Sequence, residues 1–285
     1  MIKQVLMNGV SVTNDYTFLS RVRDGASAGS DVQQYSRGGR SGITLGNPFY
    51  RGFVFQLEFT VIGRTPTQLL EQRDRLARFF RLRPDKTIKQ TREISFVMAD
   101  DSVRTAQAIF SPYIGSINAR DTTRTVIQIT GQTELEYLVS QQEFNQVINI
   151  VNLGGFAIPF DIPFNMANKD DMYQDEGGGV TINNLGNAEY YPTITVQGPL
   201  NIFSLINDTT GKTISYNGEL LAEDTLILDM YNRTAVKNGI TNDLLNIGNN
   251  PDWWWLDAGN NAIRLVAGGG TGSATINYRY AYRGL

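Results

Sequence analysis

The chain has 285 residues, 41% of them hydrophobic and 19% charged, with a formal net charge of −3. It contains no cysteine and no histidine, which excludes disulfides, thiolate chemistry, the commonest metal ligand and the usual general base. An enzyme of this composition would have to work with carboxylates, Lys, Tyr or Ser alone, and no catalytic, cofactor or metal site is expected. The length suits one large or two ordinary domains. Charge divides unevenly: residues 1–148 hold 18 Lys+Arg against 14 Asp+Glu, a net of +4, and residues 149–285 hold 7 against 14, a net of −7. Such asymmetry suits two domains with different neighbours and is too mild to demand nucleic acid. No apolar run approaches the length of a membrane span. The N-terminus lacks the basic-then-apolar signal pattern, so synthesis in the cytoplasm without a signal peptide is expected.

In chain order, Ile2 to Val12 gives two short strands around Asn8-Gly9, a tight-turn pair, and Tyr16 to Val22 is a further strand. Arg23 to Gly42 is polar and rich in Gly and Ser, a long exposed loop or hairpin of the kind that often carries function. Phe53 to Val61 alternates with its odd positions apolar, a half-buried strand. Thr65-Pro66-Thr67-Gln68 places a cap, a first-turn proline and a capping-box glutamine. Leu69, Leu70, Leu76, Ala77 and Phe80 then share roughly one helical face, and the helix stops near Arg83 before Pro84. Its arginines surround the helix and are interrupted by Glu71 and Asp74, which favours a solvated face or ion pairs to a neighbouring subunit over phosphate binding. Thr87 to Met98, Val103 to Ile117 and Thr125 to Leu138 read as strands. The adjacent carboxylates Asp100-Asp101 fit a solvated turn better than a metal. The half is α+β, one helix packed on a sheet.

Gln141 to Asn149 reads as the junction, dividing the chain into domains at 1–145 and 146–285. Phe156 to Phe164 is extended and irregular, and Lys169 to Gly179 is a surface loop. From Val180 short strands recur with turn signals about every ten residues: Pro192 to Val196, Ile202 to Ile206, Lys212 to Tyr216 between Thr210-Gly211 and Asn217-Gly218, and Thr225 to Met230 ahead of Asn238-Gly239. All three tryptophans follow, in Trp253-Trp254-Trp255. Strand alternation puts Trp253 and Trp255 on one face and Trp254 on the other. A turn at Asp257 to Asn261 and a strand from Ala262 make this a hairpin-like corner. The indoles, with Tyr190 and Tyr191, either anchor the core or form an exposed aromatic surface for a sugar or another subunit. Gly268 to Gly272 has no following helix and reads as a hairpin loop. Ala274, Ile276, Tyr278, Tyr280 and Tyr282 line one face of the last strand. The fold class is mainly β with one helix, the second half an antiparallel β-sandwich of jelly-roll type.

Four motifs stand in fixed order: N-x-G-x-x-x-x-x-P-x-I-x-V-x-G from Asn184 to Gly198, N-x-T-T-G from Asn207 to Gly211, L-x-L-D from Leu226 to Asp229, and W-x-L-x-x-G-x-N beginning at the Trp cluster and closing on Asn261. A strand with Tyr278-Arg279-Tyr280 closes the series. Together they resemble the C-terminal domain of the distal tail proteins of siphophages, phages with long non-contractile tails. The first half, with Arg40, Ile43, Leu45 and Gly46 before the Phe53 strand, is similar to that family's ring-forming domain. The resemblance implies a galectin-like C-terminal sandwich projecting from a homo-hexameric ring. It implies a virion structural protein at the distal end of the tail, joining the tail tube to the tip or baseplate. Its implied partners are the tail tube protein, the tape measure protein and the tail-tip and receptor-binding proteins, with DNA passing through the channel and no specific nucleic-acid binding.

A ring interface needs aromatic or Arg-rich patches that face one another. Arg37 and Arg40 in the polar loop and Arg73, Arg78 and Arg81 on the helix are the candidates, with the loop ordered by packing on a neighbour. The alternative function is a carbohydrate-binding adhesion module built on the sandwich. Galectins use a His-containing constellation that this chain lacks, so only stacking on Tyr190, Tyr191 and Trp253 to Trp255 would remain. A two-carboxylate glycosidase would draw on Glu189, Asp229 and Asp257.

Overall fold

A computed structural model describes residues 2–24, 30–36, 43–50, 52–80, 91–113, 123–150 and 177–284. The chain divides into two compact units, Met1–Gln141 with Tyr282–Leu285, and Gln142–Ala281. Arg37, Arg40, Arg81, Arg83 and the segment Phe156 to Phe164 lie outside the described residues, as does most of Lys169 to Gly179.

The first unit holds β1 (Ile2–Met7), β2 (Val10–Ser11), β3 (Thr17–Asp24), β4 (Ser30–Ser36), β5 (Ile43–Tyr50), β6 (Val54–Ile62), α1 (Pro66–Phe80), β7 (Arg92–Met98), β8 (Val103–Tyr113), β9 (Arg124–Thr133) and β10 (Leu138–Ser140). Its main sheet runs β2-β1-β7-β8-β9-β6-β3, with β10 on β8 and β21 (Ala281–Tyr282) on β10. Asn8 and Gly9 both take positive φ, 48° and 76°, so the Asn-Gly turn joins β1 to β2 as expected. The polar Arg23 to Gly42 stretch takes the hairpin alternative where it is described: β4 pairs antiparallel with β5 in a separate two-stranded sheet.

Strand β6 alternates as read, with Phe55, Leu57, Phe59 and Val61 fully buried. These rings organise the core. Phe55 meets Phe96 edge-on at 5.5 Å and Phe110 at 6.1 Å, while Phe80 of α1 meets Phe110 at 5.2 Å and Phe59 at 5.9 Å. Edge-to-face pairs of this kind add about 0.5–1.5 kcal/mol each beyond their area. The helix thus docks through Leu69, Leu76 and Phe80. Leu70 does not join them: it is 43% exposed, one residue past the buried stripe.

The second unit is two antiparallel sheets around one core. Strands β11 (Phe144–Asn149), β20 (Ser273–Tyr278), β13 (Thr193–Gln197), β16 (Thr225–Asp229), β17 (Thr234–Lys237) and β18 (Thr241–Asn242) form one in that order. β12 (Gly177–Asn184), β19 (Gly259–Gly270), β14 (Leu200–Asn207) and β15 (Lys212–Leu220) form the other. Ile194, Val196, Leu226, Leu228 and Ile276 of the first sheet and Phe203, Leu205, Ile214, Ile263 and Leu265 of the second fill the space between.

Several expectations are corrected here. The stretch Gln141 to Asn149 contains the boundary between the units, after Gln141, but from Phe144 it is strand β11 and not a linker, hydrogen-bonded along its length to β20. Asn217-Gly218 is not a turn; it lies inside β15, where the register with β14 shifts between Asn201 and Phe203. Glycine is required there because a Cβ on Gly218 would sit 2.6 Å from the Tyr216 ring. The glycine run from Gly268 does not close a hairpin, since β19 and β20 belong to different sheets and the chain crosses between them. Tyr282 leaves the line of Ala274, Ile276 and Tyr278 and packs on the first unit's core.

Gly131 of β9 lies under the Phe55 ring, whose Cζ would stand 2.2 Å from an added Cβ. Gly131→Ala is therefore expected to lower stability by about 1–3 kcal/mol through overpacking, read as a shift of the urea midpoint. An unchanged midpoint would show that the aromatic core yields at this point.

Candidate functional site

Two surfaces carry the candidate residues. The first is the outer face of α1. Thr65 caps the helix, its Oγ1 accepting from Gln68 N at 3.2 Å. Gln68 reaches back, but to Arg64 N at 2.8 Å, one residue before the cap position that a capping box uses. Arg73 pairs with its neighbour Asp74 at 3.2 Å. Arg75 turns inward along the surface and donates to the carbonyls of Val12 (3.2 Å) and Ser11 (3.3 Å), fastening the helix to β2. Arg92 of β7 donates to the carbonyl of Phe79 at 2.5 Å, supplying a cation and a donor where the last helical carbonyls are unpaired. The Arg78 side chain stays exposed. Met7, Asn8, Val10, Arg75, Arg78, Phe79 and Arg92 enclose a groove of about 350 Å³. The sequence did not single out Arg92, because it lies outside the helix and meets it only through the sheet.

The second surface is the aromatic corner of the sandwich. Trp254 is not part of any surface: it is fully buried in the core. Residues 251–255 belong to no strand or helix, and Leu256 bridges Tyr190 through hydrogen bonds of 2.7 and 3.0 Å. The alternation survives without the strand and drives one indole inward. Trp253, Tyr190 and Tyr191 pack partly buried against that core. Trp255 is engaged on several sides: its Nε1 donates to Asp257 at 2.8 Å, the Lys212 ammonium lies 3.3 Å from the ring centroid, and Tyr191 stacks tilted at 5.8 Å. Desolvation pushes the Tyr190 phenol above its ordinary pKa. These rings serve one another, and only Tyr231, set edge-on to Tyr191 at 5.7 Å, is half exposed.

The motif residues hold turns. Asn184 Nδ2 donates to Ala188 O at 2.8 Å and its Oδ1 accepts from Gly186 N. A Cβ on Gly186 would fall 1.8 Å from Ala281 O. Asn207 is buried, donates to Trp255 O at 2.9 Å and accepts from the amides of Thr209 and Thr210. Asn261, also buried, donates to the carbonyls of Asp257 and Gly259 and accepts from Asp257 N at 2.8 Å. Asp229 accepts from the amides of Tyr231 and Asn232. The carboxylates of Asp229 and Asp257 are thus occupied in their own loops. Asp100 likewise accepts from Ser102, which holds its carboxyl below the ordinary range. Among the described residues no group of three or more acidic side chains could hold a metal, and no helix is long and apolar enough to cross a membrane.

Residues 185–282 match the siphovirus-type tail component, C-terminal domain, so the second unit carries that family's domain. The turn-locking residues from Gly186 to Asn261 lie inside the match. Beyond that domain, the likeness over the whole chain is one of fold. The crystal structure of Dit from phage SPP1, described as a paradigm of the hub of the adsorption apparatus in phages that infect Gram-positive bacteria, superposes with a TM-score of 0.60 at 14% identity, covering 98% of both chains. A chain of the phage P2 baseplate in its activated conformation with Ca aligns at a TM-score of 0.41 and 9% identity, over 97% of this chain and 98% of that one. A p2 baseplate chain with Sr aligns at 0.39 and 9%, over 93% and 92%. No curated protein matches by sequence.

Two measurements test the turn locks. Asn261→Ala leaves buried loop groups unpaired, and a loss of roughly 2–4 kcal/mol is expected in thermal unfolding, at about 1–3 kcal/mol for each unsatisfied group. The second concerns pH. Hydrogen bonds from Asn238 and the Leu221 amide, with Lys237 at 3.0 Å, hold Asp224 at a pKa of about 2. A depressed carboxylate stabilises the fold above its unfolded pKa of about 3.9, and that contribution fades as pH falls through the folded value. Asp224→Asn should therefore be less stable than the parent at neutral pH, with the gap closing between about pH 4 and 2. A gap that does not change with pH would show that the ionised form carries none of it.

Proposed function

We propose that this chain is a structural, non-enzymatic hub at the distal end of a siphophage tail. Six copies close into a ring that joins the tail tube to the tip or baseplate and its receptor-binding proteins. The first unit forms the ring and the second is a galectin-like sandwich. The observation that carries this reading is the likeness to SPP1 Dit over both units, 98% of each chain, together with the tail-component match in the second.

The sheet, the capped helix and the β4–β5 hairpin supply the kind of surface a closed ring uses. Such an interface is heterologous: one patch of each copy meets a different patch of the next, and the rotation must close. Arg37, Arg40, Arg73, Arg78 and Arg81 are its proposed cationic contacts, and the hairpin is proposed to pack on the neighbouring copy. The tail tube and tape measure proteins are the proposed axial partners. The non-enzymatic reading draws on the carboxylates of Asp229 and Asp257, which hold turns.

Light scattering on the purified chain, alone and mixed with the cognate tail tube protein, is expected to give six copies, and negative-stain images a ring with six-fold symmetry. A chain that stays monomeric in both conditions at high concentration would overturn the proposal.

A further inference from the structure

The stripe Glu71, Arg75, Arg78 runs at helical spacing along one face of α1. Glu71 and Arg75, four apart with the acid first, are placed to pair. They do not, because Arg75 is committed to the carbonyls of Ser11 and Val12. One acid and one base are left over. Glu71 is exposed, Arg78 is exposed, and neither side chain has a hydrogen bond or ion pair among the described residues. Seven residues separate them, about 10 Å along the axis, too far to meet within one chain.

Their surroundings differ in a complementary way. Glu71 stands beside Leu70, the helix's one large apolar side chain left 43% exposed. Arg78 stands on the groove of about 350 Å³, which among the described residues is lined by three arginines, Asn8 and the apolar side chains of Met7, Val10 and Phe79, with no carboxylate among them. Val10 in that groove is 56% exposed. An apolar knob with an acid next to it, and an apolar hollow with a free base at its rim, sit at opposite ends of one helix.

We infer that the groove beside Arg78 receives Leu70 and Glu71 of a second copy of this chain. Leu70 seats over Val10 and Phe79, and Glu71 pairs with the guanidinium of Arg78. This rests on the hub reading for its head-to-tail sense: each copy offers its knob to one neighbour and its hollow to the other, which is what a closed ring requires. Once the apolar contact excludes water, the ion pair is worth more than an exposed one.

A charge exchange tests it. Arg78→Glu and Glu71→Arg, each alone, should raise the concentration needed for assembly roughly tenfold or more, with unchanged circular dichroism. The double exchange E71R/R78E should restore assembly. Because the chain has no cysteine, Leu70→Cys and Val10→Cys introduced together provide a second readout: mild oxidation should link copies to one another. Restored assembly with cross-linking upholds the contact. Assembly indifferent to both single changes, or two defects that do not rescue and copies that do not cross-link, overturns it and leaves the hub reading standing. Rescue and cross-linking of a two-fold dimer that never forms a ring would uphold the contact and overturn the hub.

Discussion

The second unit depends on buried side-chain amides that take over hydrogen bonds its loops cannot make for themselves. A sandwich this rich in short strands turns often, and each turn strands backbone N–H and C=O groups near the core, where an unpaired group is costly. Asn184, Asn207 and Asn261 are almost wholly buried, and each spans two or more backbone groups of its own loop. Asn207 also reaches Trp255 O, so the loop after β14 and the tryptophan segment share one fixed point. With those points set, Trp254 is held inside and Trp255 is left to Lys212 and Asp257.

The first unit solves a different problem. Its helix must lie on a sheet that offers mostly flat strand surface, and it does so through aromatic rings that interlock from both sides: Phe59 and Phe110 from the strands, Phe80 from the helix. The polar side of the same helix is tied down by Arg75 and Arg92 acting on main-chain carbonyls. Two of the unit's arginines are therefore structural, while Arg78 faces outward. A sequence shows five arginines in and just after the helix as equivalent. Only the sheet decides which of them are already spoken for.

Legibility followed the range of the interactions. Strand β6, the Asn-Gly turn and the capped helix were readable because each is set by residues a few places apart. The motif asparagines were readable as a pattern, and Asn261 as part of a turn, but not as buried. Burial came from Trp255, 48 residues beyond Asn207, and from Ala281, nearly a hundred beyond Gly186. Asn217-Gly218 misled for the same reason: its composition is that of a turn, whereas its glycine makes room for the Tyr216 ring. The aromatic surface failed at Trp254 because burial alternates from Trp253 to Leu256 although residues 251–255 belong to no strand. The groove beside Arg78 left no trace in sequence, since its lining comes from β1, β2, α1 and β7.

The order of elements has a practical consequence. The chain leaves the first unit after Gln141, builds the whole sandwich, and returns for Tyr282–Leu285. There Arg104 lies over the Tyr282 ring at 4.3 Å and donates to Gly284 O. The sandwich is thus a cassette spliced into another body, and no single cut separates the two cleanly. A stop codon after the sandwich would strip the first unit of its closing strand. A short bridge from residue 141 to residue 282 would delete the cassette and keep that strand, and a different cassette could be written into the same gap.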